Sequence, residues 1–108
     1  MKILKKNSKI VPKRRISGHS NTPKQSEPNV VIDHVDKNNM VDARGFYDDT
    51  GMKEKDIHTT DHGNPKTHHF GEHGEHAHDY KWDENGMLKE KTQRELTKKE
   101  RKDNGDIL

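Results

Sequence analysis

Seven of the chain's nine histidines fall within the 21 residues from His58 to His78. The stretch opens Asp56-Ile57-His58-Thr59-Thr60-Asp61-His62-Gly63-Asn64-Pro65, passes His68-His69, and ends His73-x-x-His76-x-His78-Asp79. Neutral imidazole is the commonest protein ligand for zinc, copper, nickel and iron, and carboxylates complete such shells. There is no cysteine, which excludes disulfides, thiolate zinc sites and cysteine nucleophiles. The chemistry on offer is therefore divalent-metal binding through His, Asp and Glu, with zinc as the first choice. The competing reading is a solvated histidine-rich loop that takes up metal weakly and adventitiously.

Spacing selects the candidate ligands. Side chains two apart share one face of a strand, which pairs Asp56 with His58 and His76 with His78. Gly63, Pro65, Gly71 and Gly74 argue against a helix here, and a helical His-Glu-x-x-His protease motif is absent. The expected metal ligands are Asp56, His58, His73, His76 and His78. Asp61 to Pro65 has the form Asp-His-x-x-Pro and resembles the first element of HNH-type nucleases. That resemblance implies His62 as a general base acting on water, and Asp61 as a carboxylate holding a divalent metal at a scissile phosphate.

These residues need elements to position them. Asn29 to Asp36 and Met40 to Tyr47 read as strands around the Lys37-Asn38-Asn39 turn. Asp48-Asp49-Thr50-Gly51 turns again into a third strand, Met52 to Thr60. Tyr47-Asp48-Asp49-Thr50-Gly51-Met52 matches Trp82-Asp83-Glu84-Asn85-Gly86-Met87. The shared aromatic-Asp-x-x-Gly-apolar pattern is similar to the hairpin unit of YD-repeat toxin shells. The simpler reading is favourable hairpin chemistry, and it predicts a strand ending at Trp82 and a short one from Met87. Thr92 to Asp103 carries two capping-box patterns, Thr92-x-x-Glu95 and Thr97-x-x-Glu100, ahead of Asn104-Gly105, and predicts a solvated helix.

Composition bounds the rest. Of 108 residues, 24% are hydrophobic and 37% charged, so the core is thin and a large buried cleft is not expected. No apolar run is long enough to span a membrane, and no signal-peptide pattern follows the first lysines. Residues 1–28 carry eight Lys/Arg against Glu27 alone, residues 29–86 are acidic, and the remainder is mixed. The expected fold is mainly β, a small α+β domain. It has a disordered basic arm and linker over 1–28, an antiparallel meander of three to five strands plus the His-rich segment over 29–87, and a polar helical tail over 88–108.

From Val31 to Trp82 the chain resembles a small domain encoded in head-gene clusters of Gram-positive phages and prophages, with relatives among C-terminal modules of bacterial polymorphic toxins. The residues that carry this are the strand Val30–Val35, Arg44–Gly51, the ungapped block Asp56–Pro65, and His76-x-His78-Asp79-Tyr80. The resemblance implies a phage or toxin-module setting, a nuclease-like activity, and a place in bacterial cytoplasm or a virion. Three functions follow as expectations. One is an accessory protein with a structural His/Asp metal module that works beside phage structural proteins. Another is a metal-dependent nuclease using His62. The third is a nucleic-acid or capsid adaptor acting through the basic arm.

Overall fold

The computed structural model describes residues 10–18, 21–60 and 74–108. Within them one six-stranded sheet follows the order of the chain. Its strands are β1 (Arg14–Ile16), β2 (Val31–Val35), β3 (Val41–Tyr47), β4 (Lys53–His58), β5 (His76–Trp82) and β6 (Leu88–Arg94); a short helix, α1 (Lys98–Asp103), follows. β2 to β6 form an antiparallel meander, while β1 lies parallel to β2 at the edge. The mainly β class holds, with five antiparallel strands and one parallel strand beyond the expected count.

The two related turns fold alike. Asp48 Oδ1 accepts from the backbone N–H groups of Thr50 and Met52, and Asp83 Oδ1 accepts from those of Asn85 and Met87. Each turn ends on a glycine with positive φ, +90° at Gly51 and +77° at Gly86. The sequence match between them is thus a shared hairpin geometry, with Asp capping the turn and Gly taking the left-handed position.

Residues opposite one another across a ladder share a face of the sheet. Ile32, Gly45, Asp56, His78 and Gln93 make one cross-strand row, and His34, Ala43, His58 and His76 make the next row on the same face. Asp33, Arg44, Ile57, Ala77 and Arg94 make a row on the opposite face. The first face is polar and imidazole-rich. The second carries the apolar cluster of Ile57, Ala77 and Leu96, flanked by Phe46 and Ile107.

The expectation of disorder across 1–28 does not hold for its described part. Arg14, Arg15 and Ile16 pair with Ile32, Asp33 and His34. Residues 21–28 then run as a strap along the β3–β4 hairpin. Ser26 N–H donates to Gly51 O, Lys53 N–H donates to Lys24 O, and the Tyr47 hydroxyl donates to Pro23 O. Thr22 is buried against Gly45, where a Cβ would sit 2.9 Å from its Oγ1. Arg14 to Ile16 form a strand because the edge of β2 offers them backbone partners, a contact that composition alone does not reveal.

The C-terminal reading is corrected as well. Thr92, Gln93 and Arg94 belong to β6, where they pair with Asp79, His78 and Ala77. The helix begins later, behind Thr97, whose side chain caps Glu100 N–H while the Glu100 carboxylate accepts from Thr97 N–H. Of the two capping boxes, the one beyond the reach of the β5 ladder is used. The helix is docked by charge: Glu100 is buried and takes Lys55 at 2.9 Å and Arg94 at 2.8 Å. No helix among the described residues is long and apolar enough to cross a membrane.

Candidate metal centre

Two neighbouring strands build the site. β4 and β5 pair so that Asp56 faces His78 and His58 faces His76. All four side chains lie on the polar face and are buried, Asp56 and His76 completely. The ligand atoms of Asp56, His58 and His78 all lie within 4.8 Å of one another, a group that can hold a metal ion. His58 Nε2 and His78 Nδ1 each approach Asp56 Oδ1 at 3.2 Å. The His76 ring stacks on His58 with centroids 5.2 Å apart and meets His78 edge-on at 4.9 Å.

The other oxygen of Asp56 is held by different groups. The Tyr80 hydroxyl donates to Oδ2 at 2.8 Å, and the Lys53 ammonium lies 3.3 Å from the same atom. Lys53 reaches it because of a bulge. Tyr47 pairs with Lys53 and Phe46 with Lys55, so Glu54 is the extra residue. The bulge turns Lys53, three positions before Asp56, onto the Asp56 face. Its Nζ also donates to Thr22 O and Thr22 Oγ1, each at 3.1 Å, which ties the strap to the site.

The electrostatics favour an ionised carboxylate. Burial alone would raise the Asp56 carboxyl; hydrogen bonds from His58 and His78, and the charges of His58 and Lys53, outweigh it and hold the group well below its usual 3.8. Burial and the neighbouring Asp56 push the Tyr80 hydroxyl up, so it stays a donor. Burial pulls the Lys53 ammonium down, and Asp56 opposes the shift. His76 Nδ1 lies 2.7 Å from Gly74 O, a carbonyl that only accepts, so in the neutral ring Nε2 carries the lone pair.

Of the expected ligands, the structure brings Asp56, His58 and His78 together and sets His76 against them as a stacked neighbour. His73, Asp61 and His62 lie outside the described residues. Sequence reasoning missed Lys53 and Tyr80. Tyr80 continues the alternation of His76 and His78, a signal that was available; Lys53 depends on a bulge, for which strand periodicity gives no sign.

A second His–Asp contact gives a reference. His34 Nδ1 approaches Asp42 Oδ1 at 2.6 Å, and its Nε2 lies 3.0 Å from Gly18 O. That contact is shorter than the usual N–H···O range. At Asp56 both imidazoles stand 3.2 Å away. A tetrahedral zinc ion with bonds of about 2.0 Å keeps its ligand atoms about 3.3 Å apart. These contacts are hydrogen-bond distances that also match two edges of such a tetrahedron around Oδ1.

Comparisons of the chain with protein-family models, with curated proteins and with solved structures return no match in any of the three. The geometry of the Asp56 cluster therefore carries the functional reading.

Proposed function

We propose that this chain is a metal-binding module in which Asp56 Oδ1, His58 Nε2 and His78 Nδ1 take one zinc ion, and that the ion serves chiefly to fasten β4 to β5. The observation that carries this is the gathering of Asp56, His58 and His78, all buried, with their ligand atoms within 4.8 Å of one another and both imidazoles 3.2 Å from one carboxylate oxygen. A His/Asp shell without thiolates suits zinc as well as copper or nickel, and oxygen-seeking ions such as magnesium less well. Burial supports a structural use. The sequence likeness of Asp56–Pro65 to the phage-encoded domain supports reading the module as a phage or prophage accessory protein, with phage structural proteins as its proposed partners.

Metal analysis of the untagged protein tests the proposal. One equivalent of zinc is expected after purification and dialysis. His58→Ala and His78→Ala are expected to lose it while keeping the strand signal in circular dichroism. Protein that emerges metal-free and fails to bind added zinc refutes it.

A second reading is a metal-dependent nuclease. It is favoured by the donor count among the described residues, since three protein ligands are the usual set at catalytic zinc. Asp61 and His62 follow β4 closely in sequence and supply the carboxylate and base of this reading. Plasmid and RNA cleavage by the zinc-loaded protein, abolished in His62→Ala, separates it from the structural use. The adaptor reading has weaker support, because Arg14 is already engaged by Glu27 at 3.0 Å and by Ser26 at 3.1 Å.

A further inference from the structure

We infer that Lys53 and Tyr80 set which metal the site accepts, by keeping one oxygen of Asp56 for the protein and leaving the other to the ion. This rests on the metal reading above and goes one step further, to selectivity. The two oxygens of Asp56 face different partners. Oδ1 faces the imidazoles of His58 and His78, each at 3.2 Å. Oδ2 takes the Tyr80 hydroxyl at 2.8 Å and lies 3.3 Å from the Lys53 ammonium. Asp56 is fully buried, so water does not replace either Oδ2 partner.

Neither partner is free to drift. Tyr80 stacks on Trp82 with rings 6.0 Å apart and 5° from parallel, and the Trp82 indole donates to Lys53 O at 2.7 Å. The Lys53 ammonium is fixed by Thr22 O and Thr22 Oγ1 as well as by Asp56, and the β4 bulge aims it there. A carboxylate held in this way binds an ion through a single oxygen. Small ions with tetrahedral nitrogen and oxygen shells accept that arrangement. Larger, oxygen-seeking ions gain from a bidentate carboxylate and a higher coordination number, which the clamp on Oδ2 denies them.

Lys53 and Tyr80 thus act as positioning residues, through Asp56, and their signature is a ratio of affinities. Removing the Lys53 charge strengthens binding of every dication alike, because Coulomb attraction to Asp56 is no longer shared. The ratio of zinc to manganese affinity is insensitive to that change and reports the freedom of Oδ2. Competition titrations with a chromophoric chelator measure both ions on the full chain. Lys53→Met is expected to lower the zinc-over-manganese preference roughly tenfold, the scale on which outer partners of metal ligands act. Tyr80→Phe leaves the charge unchanged, removes one hydroxyl, and is expected to lower the preference by a smaller factor; it also serves if Lys53→Met does not fold. A wild-type preference retained in Tyr80→Phe and in folded Lys53→Met overturns the selectivity inference and leaves the metal site standing. A wild-type chain that binds neither ion overturns both.

Discussion

The two faces of the sheet bury carboxylates in opposite ways. On one face Asp33 lies beneath Arg44, which grips it with two nitrogens at 2.7 and 3.0 Å and reaches on to Asn104 and Asp106. That arrangement is complete: a planar cation meets a planar anion, and the remaining donors hold down the C-terminal tail. On the other face Asp56 is met by two imidazoles, an ammonium and a phenol. Imidazole, unlike guanidinium, can give up its proton and offer a lone pair to a metal in the same place. The contrast separates a charge cluster that closes a fold from one that remains competent for chemistry, although both are equally buried.

The sharpest way to break this comparison is to remove Arg44. Arg44→Met leaves Asp33 buried without its guanidinium and releases Asn104 and Asp106. A loss of about 3–5 kcal/mol is expected, the cost of stripping one partner from a buried pair. Urea unfolding measures it, and the loss should be the same with and without zinc. A change below about 1 kcal/mol would mean that the clamp is not what closes this face.

Zinc tests the other face. Metal that binds only the folded chain adds RT ln(1 + [L]/Kd), about 2.7 kcal/mol at a hundredfold excess over Kd. Saturating zinc should stabilise the fold by that increment, seen as a higher melting temperature, a chelator should reverse it, and His58→Ala should remove it. Zinc that stabilises His58→Ala as much as wild type would move the ion elsewhere.

Acid should then dismantle the faces in sequence. Ligation needs unprotonated imidazole, so the zinc increment should fade as pH drops through the range, near 6.5, where imidazoles take up protons. The carboxylates respond later. Arg94 holds Glu100 below its usual 4.5, and the imidazole and lysine contacts hold Asp56 below its usual 3.8. A depressed carboxyl contributes stability that is present above its unfolded value and is lost as pH falls through its lower folded value. Melting at pH 7.5, 5 and 3 should show the zinc effect gone at 5 and the metal-free fold failing only below 4. A zinc increment undiminished at pH 5 would count against histidine ligation.

How far the sequence revealed all this depended on whether each feature was local. The β2–β5 strands were legible from alternation and from Asp-x-x-Gly turns, because both act within a few residues. β1 was not, because Lys13-Arg14-Arg15 reads as a solvated arm until the edge of β2 is known. β6 was legible as a short strand from Met87, but its last residues, Thr92 to Arg94, read as the start of a helix, because Thr92-x-x-Glu95 is a sound local cap that loses to ladder pairing with β5. At the site, period two picked out Asp56, His58, His76 and His78. The register that sets Asp56 against His78 crosses the histidine-rich connection and was invisible. Lys53 was hidden from periodicity, since a residue three positions away on a regular strand faces the other side.

The smallest test asks whether the ion-paired face depends on the helix start or only on the charges it presents. The Thr97 side chain accepts from Glu100 N–H at 3.0 Å, and Glu100 returns a bond to Thr97 N–H at 2.9 Å. The same carboxylate takes Arg94 and Lys55, so the cap and the docking contacts share one group. Thr97→Ala should therefore cost about 1 kcal/mol, the usual worth of an N-cap, with Thr97→Ser recovering most of it. Because α1 has six residues and a buried Glu100, the helix should not melt separately. Far-ultraviolet and near-ultraviolet unfolding curves of Thr97→Ala should stay superimposed, shifted together. Curves that part would show that the charges at Glu100 hold the sheet without the helix, and would make the cap incidental to this face.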